Sequence, residues 1–212
     1  MVHLYIGGAA SLRVAGQTVR LRLDTRYPWD GKIVITVDPE TPASFGLKLR
    51  IPAWCREFSI KVNGAAVKSP QVKRGYIRIE RKWKAGDRVE LRLSMPVELV
   101  KAHPKVRDDI GRVAIQRGPL IYCLEQADNN ASLNQIVLPR DAKLEAHFEP
   151  DLLNGVVVIH GDGFVVDDSD WDNQLYRFVN NQQKCFRISA IPYYAWNNRG
   201  RGEMEVWIRT DT

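Results

Sequence analysis

Apolar and polar residues alternate with a period of two through much of the first half of the chain. Val19, Leu21 and Leu23 point one way while Arg20 and Arg22 point the other. The pattern recurs at Leu47, Leu49 and Ile51 against Lys48 and Arg50, and at Val89, Leu91 and Leu93 against Glu90 and Arg92. A period of two places alternate side chains on opposite faces of an extended segment, so each stretch predicts a strand with one buried and one solvated face. Turn signals separate the stretches: Asp30-Gly31 after Trp29, Asn63-Gly64 after Val62, and Ala85-Gly86-Asp87 after Trp83. Asn-Gly and Asp-Gly supply the positive φ that tight hairpins need. Many short strands with glycine turns and no helical period predict an antiparallel sandwich.

The most continuously apolar run, residues 111–125, lies near the midpoint of the chain. Val113 and Ile115 alternate with polar neighbours, Arg117-Gly118-Pro119 interrupts, and residues 120–124 are apolar almost throughout. Proline fixes φ and cannot donate to a ladder, which predicts a strand, a kink, and a second strand buried on both faces. Further strands are predicted at 136–138, 143–148, 156–159, 185–191 and 204–209, the last with Met204, Val206 and Ile208 on one face. Asn154-Gly155 marks a turn, and 126–135 and 161–183 read as loops.

The expected fold is therefore all-β, with two consecutive antiparallel β-sandwich domains, residues 1–103 and 104–212. The joint is placed in the proline-flanked and charged stretch 95–109, give or take several residues. Val2-His3-Leu4-Tyr5-Ile6 reads as a strand from its second residue, which predicts a piece of a longer protein.

Composition changes this picture little. The 212 residues are 44% hydrophobic and 26% charged, as in an ordinary globular protein. The net charge is +6, but the basic residues alternate with apolar ones along strands. Solvated sheet faces account for them, and no nucleic-acid-binding motif is present. No apolar run approaches the ~20 residues of a membrane span. The three cysteines, Cys55, Cys123 and Cys185, are far apart and form no Cys-x-x-Cys. That pattern argues against a disulfide scaffold or zinc ribbon and fits a reducing, cytoplasmic location. Cys123 and Cys185 sit in apolar strands and read as small buried hydrophobes. The start lacks the basic residues and apolar core of a secretory signal, which leaves the Asn130-Ala131-Ser132 acceptor pattern without weight.

Candidate chemistry is sparse. Asp167, Asp168, Asp170 and Asp172 form the one acidic cluster. It imitates the opening of an EF-hand loop, but Asn173 stands where glycine is needed and Val179 where glutamate is. A solvated loop is the default reading. Paired carboxylates there could also serve a glycosidase. The histidines His3, His103, His147 and His160 show no metal-ligand spacing. There is no Gly-x-Ser-x-Gly, phosphate loop or dinucleotide fingerprint. One stretch is chemically suggestive: Tyr193, Tyr194 and Trp196 stand beside Asn197, Asn198 and Arg199. Aromatic planes stack on the apolar faces of sugar rings, while amides and guanidinium groups meet hydroxyls. The same composition suits a protein contact.

The chain resembles glycoside hydrolase family 127, the β-L-arabinofuranosidase family. The resemblance rests on Leu49-Arg-Ile-Pro-Ala-Trp54, Val62-Asn-Gly64, Ala102-His-Pro-Lys-Val-Arg107, Arg112-Val-Ala-Ile-Gln-Arg-Gly-Pro-Leu-Ile-Tyr-Cys-Leu-Glu125 and Ala190-Ile-Pro-Tyr-Tyr-Ala-Trp-Asn-Asn-Arg199, together with Val2-His-Leu-Tyr-Ile-Gly7 at the start. It runs in order over essentially the whole chain. It implies a bacterial enzyme with an N-terminal (α/α)6 barrel followed by two β-sandwiches, the barrel carrying the catalytic cysteine, the zinc and its ligands, and the substrate pocket. This chain resembles the two sandwiches only, so the family's catalytic and metal residues map to no position in it, and no cofactor is expected in it. The resemblance implies a non-catalytic portion that supports the barrel and mediates homodimerisation. The alternatives are a carbohydrate-binding module using Tyr193, Tyr194, Trp196, Asn197 and Arg199 for an arabinose-containing ligand, or a self-sufficient glycosidase using the acidic loop Asp167–Asp172.

Overall fold

The computed structural model describes residues 1–166, 175–176, 178 and 183–211. The acidic residues Asp167, Asp168, Asp170 and Asp172 lie outside the described residues. The chain divides into two compact units, Met1–Met95 and Pro96–Thr212. The described residues are strands and turns, with three 3-10 turns of three residues each as the helical elements. Among them no helix is long and apolar enough to cross a membrane.

The first unit holds β1 (Gly8–Val14), β2 (Gln17–Thr25), β3 (Lys32–Pro39), β4 (Ala43–Arg50), β5 (Phe58–Val62), β6 (Ala65–Ala66), β7 (Val72–Lys73), β8 (Tyr76–Trp83) and β9 (Asp87–Leu93). They form an antiparallel six-stranded sheet in the order β1-β2-β3-β9-β5-β6 and a three-stranded sheet β4-β8-β7. Ile33, Ile35 and Val37 of β3 and Val89, Leu91 and Leu93 of β9 pack in one core with Leu47 and Leu49 of β4 and Ile77 and Ile79 of β8. The alternating residues read from sequence therefore meet between two sheets, as in a sandwich. Trp83 ends β8 fully buried, and its indole N–H donates to the Phe45 carbonyl at 2.9 Å. That bond satisfies the one polar atom the ring would otherwise strand in the core.

The tight-turn reading holds at Asn63-Gly64 and fails at Asp30-Gly31, where Gly31 does not take positive φ and the connection between β2 and β3 runs over residues 26–31. Asn63 and Gly64 both take positive φ, +51° and +82°, in the two-residue turn between β5 and β6. Gly31 is required by space instead: a Cβ there would lie 1.9 Å from the Leu93 carbonyl oxygen. The expected opening strand at residues 2–6 is not formed. Val2 makes one parallel bridge to Leu49, and Val2 and Tyr5 are buried while Leu4 and Ile6 are exposed. Burial at positions 2 and 5 is not a period of two. The edge strand β1 gave no signal because its residues are nearly all exposed, so no alternation marks it.

The second unit holds β10 (Val97–Val100), β11 (Arg112–Arg117), β12 (Leu120–Glu125), β13 (Ile136–Val137), β14 (Leu144–Glu149), β15 (Val156–Val166), β16 (Gln183–Pro192), β17 (Met204–Glu205) and β18 (Ile208–Arg209). Hydrogen bonding connects β10-β11-β18-β13-β15-β16-β12-β17, with β14 on β15, and β11 also pairs with β12. That last pairing turns the path back on itself around one core, to which Ile115, Leu124, Ile159, Ile188 and Ile208 contribute. The interruption at Gly118-Pro119 is a reverse turn: Arg117 pairs with Leu120, and Gly118 has φ +56°. A two-residue loop with glycine first matches the twist of the flanking strands. The Val97–Val100 strand pairs with β11, which places it in the second unit and the division after Met95.

Three further readings are corrected. β15 runs on through Val166, and β16 begins at Gln183, so residues 161–166 are strand rather than loop. Gly161 and Gly163 disguise it. Added Cβ atoms there would lie 2.4 Å from Leu144 Cδ2 and 2.7 Å from the Val137 carbonyl oxygen, so close strand approach excludes the side chains that signal a strand. The closing strand is broken at Val206-Trp207: β17 pairs with β12, whereas β18 pairs with β11 and β13. Cys185 is exposed, while Cys55 and Cys123 are buried; it lies toward the outer end of β16, where the strand faces solvent.

Candidate functional site

β16 ends at Pro192, and a 3-10 turn over Tyr193–Ala195 carries the chain out of the sheet. Ala195 is buried beneath the turn, which leaves Tyr193, Tyr194 and Trp196 on its outer side at 44%, 60% and 38% exposure. Asn197 then takes the left-handed conformation, φ +61°, and its backbone N–H donates to Glu125 Oε1 at 2.7 Å. The Asn198 amide donates to the Ala195 and Trp196 carbonyls at 2.9 and 3.2 Å, closing the turn on itself.

Arg199 does not face solvent with the aromatics. Its Nη1 and Nη2 each donate to Asp128 at 2.5 Å, a bidentate pair, and Nη2 also meets Glu125 Oε2. Asp128 first, then Glu125, raise its pKa further above the ordinary guanidinium value, so it stays charged. Asn129, almost fully buried, secures the other side of the clamp. Its amide nitrogen donates to the Glu125 and Ser189 carbonyls at 2.8 and 2.9 Å, and its oxygen accepts the Ser189 N–H at 3.0 Å. The five candidate residues thus separate into three outward aromatic rings, one turn-forming asparagine and one arginine engaged in structure. Glu125, Asp128 and Asn129 were missed in the sequence. The one signal was a carboxylate at the end of a buried strand followed by Asp-Asn.

The buried thiol and phenol of β12 are held in their neutral forms. Burial pushes the Cys123 thiol up to about 12, and Glu125 and Asp128 add to the effect. Burial also pushes Tyr122 up to about 12. In the first unit Cys55 is raised by burial as well. A reactive thiolate needs the opposite environment. Surface grooves lie elsewhere: one of about 860 Å³ over Arg22, Asp24, Lys32 and Arg88 in the first unit, and one of about 420 Å³ by Leu99, Val106, Ile110 and Arg140 in the second.

The histidines have separate fates. His3 Nδ1 is 2.7 Å from the Tyr76 hydroxyl, and His103 Nδ1 accepts the Lys105 N–H at 3.1 Å. Antiparallel pairing of β14 and β15 brings His147 and His160 together, with ring centres 5.8 Å apart. As for the zinc implied by the resemblance, no three His, Cys, Asp or Glu side chains among the described residues stand assembled around one point. The described residues do not fit a resident structural zinc.

Comparison with known proteins adds the following. Residues 1–95 match the family model described as β-L-arabinofuranosidase, GH127 middle domain, and residues 97–209 match the glycoside hydrolase family 127 C-terminal domain. A non-reducing end β-L-arabinofuranosidase of Bifidobacterium longum subsp. longum is 36% identical over 98% of this chain, which covers 32% of that protein. Among solved structures, a GH127 β-L-arabinofuranosidase from Geobacillus stearothermophilus T6 superposes with a TM-score of 0.96 at 51% identity, over 99% of this chain and 33% of that one. A GH127 β-arabinofuranosidase superposes with a TM-score of 0.89 at 36% identity, over 99% of this chain and 34% of that one. The chain spans about a third of the length of each.

Proposed function

The chain belongs to glycoside hydrolase family 127, and on that premise we propose that it is the non-catalytic β-sandwich region of a family enzyme whose parent activity is β-L-arabinofuranosidase. The observation that carries the reading is one of extent. The likeness covers 98–99% of this chain but only 32–34% of the enzymes it resembles, and it falls on their middle and C-terminal domains. The local chemistry supports it, since the buried thiols are disfavoured as thiolates and Glu125 and Asp128 are both engaged by Arg199. The role is architectural: the region buttresses a catalytic (α/α)6 barrel, and it joins two copies of the enzyme.

Hydrolysis of an aryl β-L-arabinofuranoside by the untagged chain is the direct test. The expected result is no turnover by the chain alone, and turnover when a separately expressed N-terminal portion of a family relative is added and co-elutes with it. Turnover by the chain alone overturns the reading.

A second reading is favoured by the three exposed rings of Tyr193, Tyr194 and Trp196. In it the turn binds an arabinose-containing oligosaccharide, with the rings providing stacking planes and Arg199 no direct contact. Calorimetric titration of the chain with arabino-oligosaccharides separates the two.

A further inference from the structure

We infer that the outer face of the three-stranded sheet β4-β8-β7 is a docking surface for an acidic polysaccharide, whose sugar carboxylates meet a patch of lysine and arginine. The inference rests on the reading that the parent enzyme works on carbohydrate, which makes a polysaccharide the polymer at hand. Charge is unevenly divided along the chain. Residues 1–95 hold 18 Lys and Arg against 8 Asp and Glu, whereas residues 96–212 hold 13 against 17. The net +6 of the chain therefore conceals a first unit of net +10 and a second of net −4. An asymmetry of that kind points to an anionic partner for the basic part.

Strand register concentrates the charge. Leu47 and Leu49 of β4 and Ile77 and Ile79 of β8 point into the core, so Lys48, Arg50, Tyr76, Arg78, Glu80 and Lys82 point outward. Lys48 stands directly opposite Arg78, and Tyr76 lies between Arg50 on β4 and Lys73 on β7. Like charges in register repel, and opposite charges in such positions stabilise a sheet. Among the strand residues of this face Glu80 is the one carboxylate, and Arg78 engages it in a salt bridge. An added Cβ at Gly46, opposite Glu80, would lie 2.7 Å from Arg78 Nε, so the guanidinium lies across a position kept bare. Among the described residues no carboxylate forms a salt bridge with Lys48, Arg50, Lys73 or Lys82. The six-stranded sheet differs: its outer face sets Arg22 beside Asp24 and Arg92 beside Glu90. Solvation alone explains that mixed face, but not one where a single sign is stacked in register.

At its Arg50–Tyr76 end the face runs into a groove of about 530 Å³ that Arg74 also lines, and among the described residues no Asp or Glu lines it. Arg50 and Arg74 offer planar forks that take a carboxylate through two parallel bonds. Basic residues set in rows along strands suit a chain that repeats its carboxylates better than a single small anion. Nucleic acid is the other common polyanion, but proteins that hold single strands add aromatic planes on which successive bases stack. Here Tyr76 is the one aromatic among the strand residues of the face, and its hydroxyl lies 2.7 Å from His3 Nδ1. Contacts of this kind on an open face are electrostatic and are screened by salt.

The test titrates the untagged chain with polygalacturonate by calorimetry at about 20 mM salt. The methyl-esterified polymer, which lacks the carboxylates, and a DNA oligonucleotide are run beside it. Binding of polygalacturonate that weakens as salt rises is expected, with no binding of the esterified polymer and weaker binding of DNA. Lys48→Gln with Arg50→Gln should lose about 10-fold in affinity through the two missing charges. The melting temperature of that variant should stay at or above the wild-type value, because a pair of like charges in register has been relieved. Arg13→Gln with Arg20→Gln removes the same formal charge from the six-stranded sheet and should lose far less affinity. No binding of polygalacturonate, equal affinity for its ester, equal loss in the two double variants, or tighter binding of DNA would each overturn the surface. All of these readouts are independent of turnover, so failure of this surface is distinguishable from failure of the architectural role.

Discussion

Arg199 and Asp128, 71 positions apart in the sequence, face each other through two parallel nitrogen–oxygen contacts of 2.5 Å. The pair ties the aromatic turn after β16 to the loop after β12, and Glu125 completes it from the buried end of β12. Removing one partner of a shielded charge cluster leaves the others uncompensated, which costs more than the pair itself contributes. Arg199→Met is therefore expected to destabilise the second unit by about 3 kcal/mol. Arg199→Lys should lose less, because it keeps the charge but not the planar fork. Urea denaturation followed by Trp fluorescence measures both. Equal stability of wild type and Arg199→Met would show that the clamp is dispensable.

The first unit should carry an acid-sensitive joint at Asp87. Burial opposes its charge, but the Asn63 amide at 2.8 Å, the Lys84 N–H at 2.9 Å and Arg81 at 3.6 Å together hold its carboxyl below the usual range. A depressed folded pKa means that the unfolded chain takes up the proton first. The stabilisation is thus complete above the ordinary aspartate value of about 3.9 and is lost as pH falls through the lower folded value. Glu205 has the opposite sign: burial outweighs Arg112 and raises its pKa, so its contribution is present at low pH and is lost as pH rises through the folded value. Thermal melts from pH 3 to 7 should show Asp87→Asn less stable than wild type at neutral pH, with the gap closing toward pH 3. A gap that widens on acidification would contradict the assignment.

Glycines at two turns should respond differently to alanine. At Gly31 the new Cβ would lie 1.9 Å from the Leu93 carbonyl oxygen, a backbone atom that cannot move without disturbing β9. At Gly86 the space is open and only the φ of +81° resists. Gly86→Ala should cost about 1–2 kcal/mol, the left-handed penalty for a residue with a Cβ. Gly31→Ala should exceed the ~1–3 kcal/mol usual for overpacking and yield little folded protein. Soluble yield and melting temperature of the two variants decide it.

Why the first unit was readable from sequence and the candidate site was not follows from the distance over which each is specified. Val89, Leu91 and Leu93 announce their strand within seven residues, because the alternation is a local consequence of one buried face. Asn63-Gly64 announces its turn within two. Strand β1 and residues 161–166 were invisible, one because exposure leaves no alternation and the other because close packing replaced side chains with Gly161 and Gly163. The role of Arg199 could not be read beside Trp196 and Asn198. Its partners lie across the sheet, and a free guanidinium and a clamped one have the same letter. The His147–His160 approach is hidden for the same reason, since it is made by the register of β14 on β15.

The aromatic turn provides the last prediction, because its exposed rings have to be accounted for by a sugar or by protein. A sugar site of this kind needs stacking planes together with free donors and acceptors beside them. Here the Arg199 fork is engaged by Asp128 and Glu125, and the Asn198 amide nitrogen by the Ala195 and Trp196 carbonyls. The exposed rings of Tyr193, Tyr194 and Trp196 then make up the large side chains of the turn, a composition favoured at protein interfaces. In the proposed architecture this surface is covered by a second copy or by the rest of the enzyme. The chain is thus expected to sediment as a dimer at micromolar concentration. Tyr194→Ser with Trp196→Ser should weaken that dimer at least ~10-fold, in keeping with the weight that aromatic anchors carry at interfaces, while the melting temperature stays near that of wild type. A strictly monomeric chain whose Trp196→Ala variant loses affinity for an arabino-oligosaccharide would assign the turn to carbohydrate instead.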